Sequence, residues 1–173
     1  TLRRLLQVRA VRWVHKELGH YFNNNLVLFL NGMRNWDMAM ALSEYTKNLS
    51  FADALLQTGA PTMLHTLEQL ELYAKGKDWL LGGRPATLLE SALSGFKAAR
   101  VAAAVAKSHV IVGTFAELHE VGDAKNLAGK TIITSAVDEE RFSYFSEHEV
   151  NLVIDVGPKL FPRVVGINVV EAM

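Results

Sequence analysis

The chain has 173 residues, of which 50% are hydrophobic and 21% charged, enough for one domain with a sizeable core. Eighteen basic residues balance eighteen acidic ones, so no overall charge draws it to nucleic acid or to an anionic membrane. It contains no cysteine, which excludes disulfides, thiol catalysis and thiolate metal sites and fits a cytoplasmic protein.

No apolar run reaches membrane-spanning length, and the first residues lack the layout of a signal peptide. The chain opens at Thr1 directly into a helical pattern and closes at Met173 inside another. It therefore reads as a single domain, residues 1–173, cut from a longer protein. Any site shared with a preceding N-terminal domain would have that domain as its partner.

In chain order, Leu2, Leu5, Leu6, Ala10, Trp13, Val14 and Leu18 recur at three- and four-residue steps, predicting an amphipathic helix that ends near Gly19. Arg3, Arg9, Arg12 and Lys16 occupy its other face, either as a solvated surface or as a stripe for an anion or partner. Leu26–Leu30 runs apolar without alternation, the pattern of a strand buried on both faces. Asn31 and Gly32 break the run, and Trp36, Ala39, Met40 and Leu42 then recur at helical spacing, predicting a helix over 36–46.

A second strand is predicted over Asn48–Ala52, with Asp53 at its end and a turn at Gly59-Ala60-Pro61. A helix from about Thr62 to Lys75 follows, with Met63, Leu67, Leu70 and Tyr73 on one side. Gly82, Gly83 and Pro85 mark a loop. Beyond it an Ala-rich helix runs from Ala86 to Lys107 with a break expected at Gly95, its small residues Ala98–Ala106 read as a close-packing face.

His109–Val112 and Lys130–Thr134 are the next strands, joined by a loop through Gly122 and Gly129. Ser135 or Asp138 can cap the following helix, whose Phe142 and Phe145, with Val150, are expected to face the sheet. Asn151–Val156 is a fifth strand stopped by Gly157-Pro158, and Val165–Met173 reads as a short helix. Strict alternation of strands and helices predicts a Rossmann-like three-layer α/β/α sandwich with a mostly parallel sheet of about five strands.

Parallel strands point their carboxyl ends at one edge, which is where such sheets bind ligands. Asn31-Gly32, Asp53, Gly113-Thr114, Thr134-Ser135 and Asp155-Gly157 converge there. Gly32 opens the first turn, but Met33, Arg34 and Asn35 stand where a dinucleotide fingerprint wants small residues. Asp53 follows Gly32 by the 21 residues at which an acid would hold ribose hydroxyls. Arg34 can face a phosphate or carboxylate, or water. The candidate cofactor-binding set is accordingly Asn31, Gly32, Arg34, Asn35, Asp53, Gly113, Thr114, Thr134 and Ser135.

The six histidines form no metal pattern, and no nucleophile elbow or P-loop is present. His65 and His148 read as surface helix residues and His109 as the edge of a strand. Lys97, Lys107 and Lys130 are undistinguished, and no general acid or base is assigned.

The runs VLFLNGMRNWDMAMALSEY, SFADALLQTGAP, LAGKTIITSAVDEERFSYF and PRVVGINVVEAM are similar to the C-terminal half of prokaryotic quinate/shikimate 5-dehydrogenase-like proteins. The resemblance covers residues 1–75 and 108–173. It implies NAD- or NADP-linked oxidation of a cyclic polyol acid. The catalytic lysine and aspartate of well-studied shikimate dehydrogenases have no matching position, and their glycine-rich cofactor loop is absent.

Two functions follow as expectations. One is an NAD(P)-binding domain whose missing N-terminal part supplies the catalytic residues. The other is a non-catalytic Rossmann-like domain for ligand binding or subunit assembly. The expected partners are a small molecule or nucleotide, the missing domain, and a second copy through the first helix or the Ala98–Ala106 face. Neither nucleic acid nor membrane is expected.

Overall fold

A computed structural model describes residues 2–81, 90–121 and 124–157. Its centre is a five-stranded, all-parallel sheet in the order β2-β1-β3-β4-β5: β1 (Val27–Phe29), β2 (Leu49–Phe51), β3 (Val110–Val112), β4 (Thr131–Thr134) and β5 (Leu152–Asp155). The expected α/β sandwich is thus the observed one. The strand order reverses between β1 and β3, so the carboxyl ends of those two strands form the topological switch point.

Each strand divides its apolar residues between two helical layers, because successive side chains leave a strand on opposite faces. Val27, Phe29, Val110, Val112 and Ile133 belong to one core with Val11 and Val14 of α1 (Leu2–Glu17) and Met38, Ala39 and Leu42 of α2 (Trp36–Ser43). Leu28, Leu30, Ile111 and Ile132 belong to the other. That core includes Leu55 of α3 (Asp53–Thr58), Val101 and Val105 of α5 (Glu90–Lys107), and Leu118 of α6 (Phe115–Val121). Leu127 of α7 (Ala124–Leu127) and Phe145 of α8 (Glu139–Glu147) complete it. Leu70 of α4 (Leu67–Leu81) joins the first core. Fully burying one such Leu or Phe contributes about 1.5–3 kcal/mol, which is why an unalternating apolar run marks these strands.

The structure departs from the sequence expectations at defined places. The first helix turns Gln7, Val11, Val14 and His15 inward and leaves Leu5, Trp13 and Leu18 exposed, so its apolar periodicity describes two stripes, only one of which is buried. Asp53 starts the unforeseen α3, which ends at Gly59 in the left-handed conformation that favours glycine. Residues 62–65 are extended, not helical. Phe51 and Leu64 exchange hydrogen bonds of 2.7 and 3.0 Å and extend the sheet edge, so the helix begins only at Leu67. His65 therefore lies before that helix, and His148 caps α8 at its carboxyl end.

The Ala-rich helix runs unbroken through Gly95. Of its small residues, Ala98, Ala99, Ala103 and Ala106 are exposed, and Val101 and Val105 make the buried contact. The expected loop before β4 contains α6 and α7. Phe145 is buried as expected, whereas Phe142 points to solvent with 61% exposure. Asp138, not Ser135, caps α8, accepting a hydrogen bond from the Arg141 amide at 2.9 Å. The loop at Gly82, Gly83 and Pro85, the glycine at 122, Pro158 and the helix expected over Val165–Met173 lie outside the described residues.

Candidate functional site

Three loops leave the carboxyl edge, after β1, β3 and β4, and a carboxylate folds each back on itself. Asp53, at 0% exposure, accepts the amides of Gly32 at 2.7 Å and Met33 at 3.0 Å, and the side chain of Gln57 at 3.3 Å. Asp155 accepts the amides of Ala136 at 3.1 Å, Val137 at 3.2 Å and Gly157 at 2.8 Å. Glu117 accepts the Thr114 amide at 2.7 Å while its own amide donates to Thr114 Oγ1 at 3.3 Å, a reciprocal capping box at the start of α6. The last strand on each side of the sheet thus supplies an aspartate that clamps the loop of its inner neighbour.

Burial pushes the Asp53 carboxyl above the ordinary carboxylate value, and nearby Glu117 adds to the rise. The Met33 and Gly32 amides pull in the opposite direction. Gly32 is needed here for space. A Cβ on it would lie 2.4 Å from the Phe51 ring and 2.9 Å from Leu70, so this glycine is pressed against β2 and α4. Asn31 closes the same turn, its side chain accepting the Arg34 amide at 3.0 Å and its carbonyl accepting from Asn35 at 2.8 Å.

Arg34, Asn35, Gly113, Thr114, Thr134 and Ser135 meet in one pocket at the switch point, together with Gln7, Met38, Ile133 and Val156. Six of the nine candidate residues line the pocket. The other three, Asn31, Gly32 and Asp53, build the loop that carries Arg34 and Asn35 to it. The pocket holds about 40 Å³, room for one water or one functional group of a larger ligand. Arg34 is exposed beside it.

Thr134 is 3% exposed, and its Oγ1 is the only buried side-chain polar atom without a hydrogen-bond partner among the described residues. Buried hydroxyls are almost always paired, and an unpaired one costs about 1–3 kcal/mol. Thr134 itself is among the residues that line the pocket.

Gln7 was not legible as a site residue. It is a polar side chain on the buried stripe of α1, 6% exposed, and donates to Asn35 Oδ1 at 3.2 Å. A glutamine in phase with Val11 and Val14 is the signal that would have marked it. Thr114-x-x-Glu117 would similarly have announced α6.

Lys130 serves elsewhere. Its ammonium donates to the carbonyls of Ala106 at 3.1 Å and Ser108 at 2.7 Å, closing the end of α5, and burial pushes its pKa down. Among the described residues no group of histidines and carboxylates could hold a metal ion, and no helix is long and apolar enough to cross a membrane.

The fold and pocket define an open, doubly wound α/β domain with a polar crevice at its switch point. The chain belongs to a family described as a domain of unknown function, DUF8754, which it matches over residues 1–173. Comparison with the curated proteins and with the solved structures gave no match.

Proposed function

We propose that the chain is a ligand-binding domain whose site is the pocket at the carboxyl ends of β1, β3 and β4. The buried, unpartnered Thr134 hydroxyl carries this reading. A ligand places one oxygen-bearing group there, hydrogen-bonded by Thr134, among Thr114 and Ser135. The rest of the ligand lies along the sheet edge under Arg34, which favours a carboxylate or phosphate. Among the described residues that line the pocket, the polar groups are Gln7, Arg34, Asn35, Thr114, Thr134 and Ser135, which suits recognition by hydrogen bonds and one cation.

The resemblance to quinate/shikimate dehydrogenase-like proteins supports a second reading, that the ligand is NAD or NADP, and the doubly wound sheet is compatible with it. Against a pyrophosphate at the Gly32 turn stand two observations. The Gly32 and Met33 amides are bonded to Asp53, and the Gly32 Cα is covered by Phe51 and Leu70.

Calorimetric titration of the chain with inorganic phosphate, quinate, shikimate, NAD(H) and NADP(H) separates the two. The first reading expects saturable binding of phosphate or of one of the hydroxy acids, lost in Thr134→Val, with no dinucleotide binding up to about 1 mM. Dinucleotide binding that is lost in Thr134→Val would establish the second reading. Binding of none of the five, or binding indifferent to Thr134→Val, would count against the site itself.

A further inference from the structure

On the opposite face of the sheet, α5 does not close down on β1 and β2. A hollow of about 750 Å³ separates it from the extended segment 62–65. That volume lies within the range of small-molecule sites, which is about 300–1,000 Å³. Its cause is visible in the sequence of α5. Val101 and Val105 anchor the helix in the second core, but Ala99, Ala103 and Ala104, which border the hollow, have nothing beyond Cβ to fill it.

The lining is chemically divided. Leu26, Leu28, Met63 and Leu64 supply an apolar lining, and Leu26 keeps 38% of its surface exposed. Arg100, Lys107 and His65 supply the charged and titratable groups, and no carboxylate is among the lining residues described. In a chain whose net charge is zero, this is a local excess of positive charge against an apolar surface.

The guanidinium of Arg100 is fixed by donation to the Pro61 carbonyl at 2.6 Å, which ties α5 to the start of the extended segment. His65 is fixed by Ser50, whose Oγ lies 3.2 Å from its Nδ1. The Lys107 ammonium has no hydrogen bond or ion pair among the described residues. The hollow therefore combines an apolar trough, two positioned polar groups and one uncommitted ammonium.

We propose that this hollow binds a single-chain carboxylate, its hydrocarbon body along Leu26, Met63 and Leu64 and its head at Lys107 and Arg100. Apolar burial supplies most of the affinity, and the cations select an anionic head over a neutral one. This site shares no lining residue with the Thr134 pocket.

Decanoate, decanol and decyltrimethylammonium titrated calorimetrically into the full chain test it. Decanoate is expected to bind saturably at one site, about tenfold more tightly than decanol, with no binding of the cationic amphiphile. Ala103→Leu fills the hollow and should abolish binding. Ala99→Leu serves the same purpose if Ala103→Leu lowers the thermal midpoint. Lys107→Gln, on an exposed side chain, should weaken decanoate severalfold and leave decanol unchanged. Absence of saturable decanoate binding below about 1 mM would overturn the proposal. So would equal affinity for decanol, or decanoate binding that survives both alanine replacements.

Discussion

The Asp53 carboxylate accepts the Gly32 amide at 2.7 Å, so the end of β2 holds the turn that follows β1. An acid 21 residues after a strand-terminal glycine suits a ribose contact on spacing alone. In the folded chain its oxygens face inward, onto two amides and Gln57. Asp53 therefore shapes the loop and does not line the pocket.

Removing that carboxylate strands two amides in a buried loop. Asp53→Ala should lower the unfolding free energy by about 2–4 kcal/mol, since each unsatisfied buried donor costs about 1–3 kcal/mol. Asp53→Asn should cost less, because one acceptor oxygen remains. Urea denaturation of both variants checks the order. An alanine variant within about 0.5 kcal/mol of wild type would show that the clamp does not matter.

Gly32→Ala should also destabilise, through crowding. The new methyl would sit 2.4 Å from the Phe51 ring and 2.9 Å from Leu70, and overpacking of this kind costs about 1–3 kcal/mol. The companion Phe51→Leu makes room. In a double-mutant cycle the two changes should therefore cost less together than the sum of each alone.

His15 gives the fold a defined response to acid. Its ring is 8% exposed, stacks on Tyr45 at 3.7 Å, accepts the Phe22 amide at Nδ1 and lies 3.3 Å from the His20 ring nitrogen. Burial, and secondarily His20, lowers its pKa below the ordinary 6.5. The unfolded chain then binds more protons than the folded one between the lowered value and 6.5. Stability should accordingly fall as pH drops through 6.5, and the loss should level off below the folded pKa. Chemical denaturation at pH 7.5 and in steps down to pH 5 measures this slope. In His15→Phe the contribution of this group should vanish, even if the variant is less stable throughout. An unchanged slope would place the titration elsewhere.

Comparison of strand with helix explains what the sequence could reveal. The runs Leu26–Leu30 and His109–Val112 announced strands because a parallel strand buried on both faces leaves no polar positions, and both strands are there. Helix faces were harder, since period alone does not say which of two apolar stripes meets the core. Trp13 and Phe142 fit the predicted stripes and are exposed, at 62% and 61%, whereas Gln7 and His15, which broke the pattern, are buried.

Short helices such as α3 and α6 escaped because six or seven residues carry too little periodicity. Only their caps, Gly59 and Thr114 with Glu117, disclose them. At the edge, the meeting of Gly113, Thr114, Thr134 and Ser135 followed from strand ends alone. The inward turn of Asp53 did not, because it depends on a tertiary hydrogen bond.

Thr134→Val separates a hydroxyl that binds a ligand from one that supports the scaffold, because stability and affinity then move in opposite directions. Valine keeps the shape and removes a buried hydroxyl that has no partner in the protein. Thermal and urea unfolding should therefore show the variant as stable as wild type or up to about 1–2 kcal/mol more stable. Titration with whichever of phosphate, quinate and shikimate binds the wild type should show at least about a tenfold loss of affinity. Stability retained and binding lost would mark a hydroxyl kept for a ligand. A variant that loses stability while binding as before would place Thr134 in the scaffold and the ligand site elsewhere.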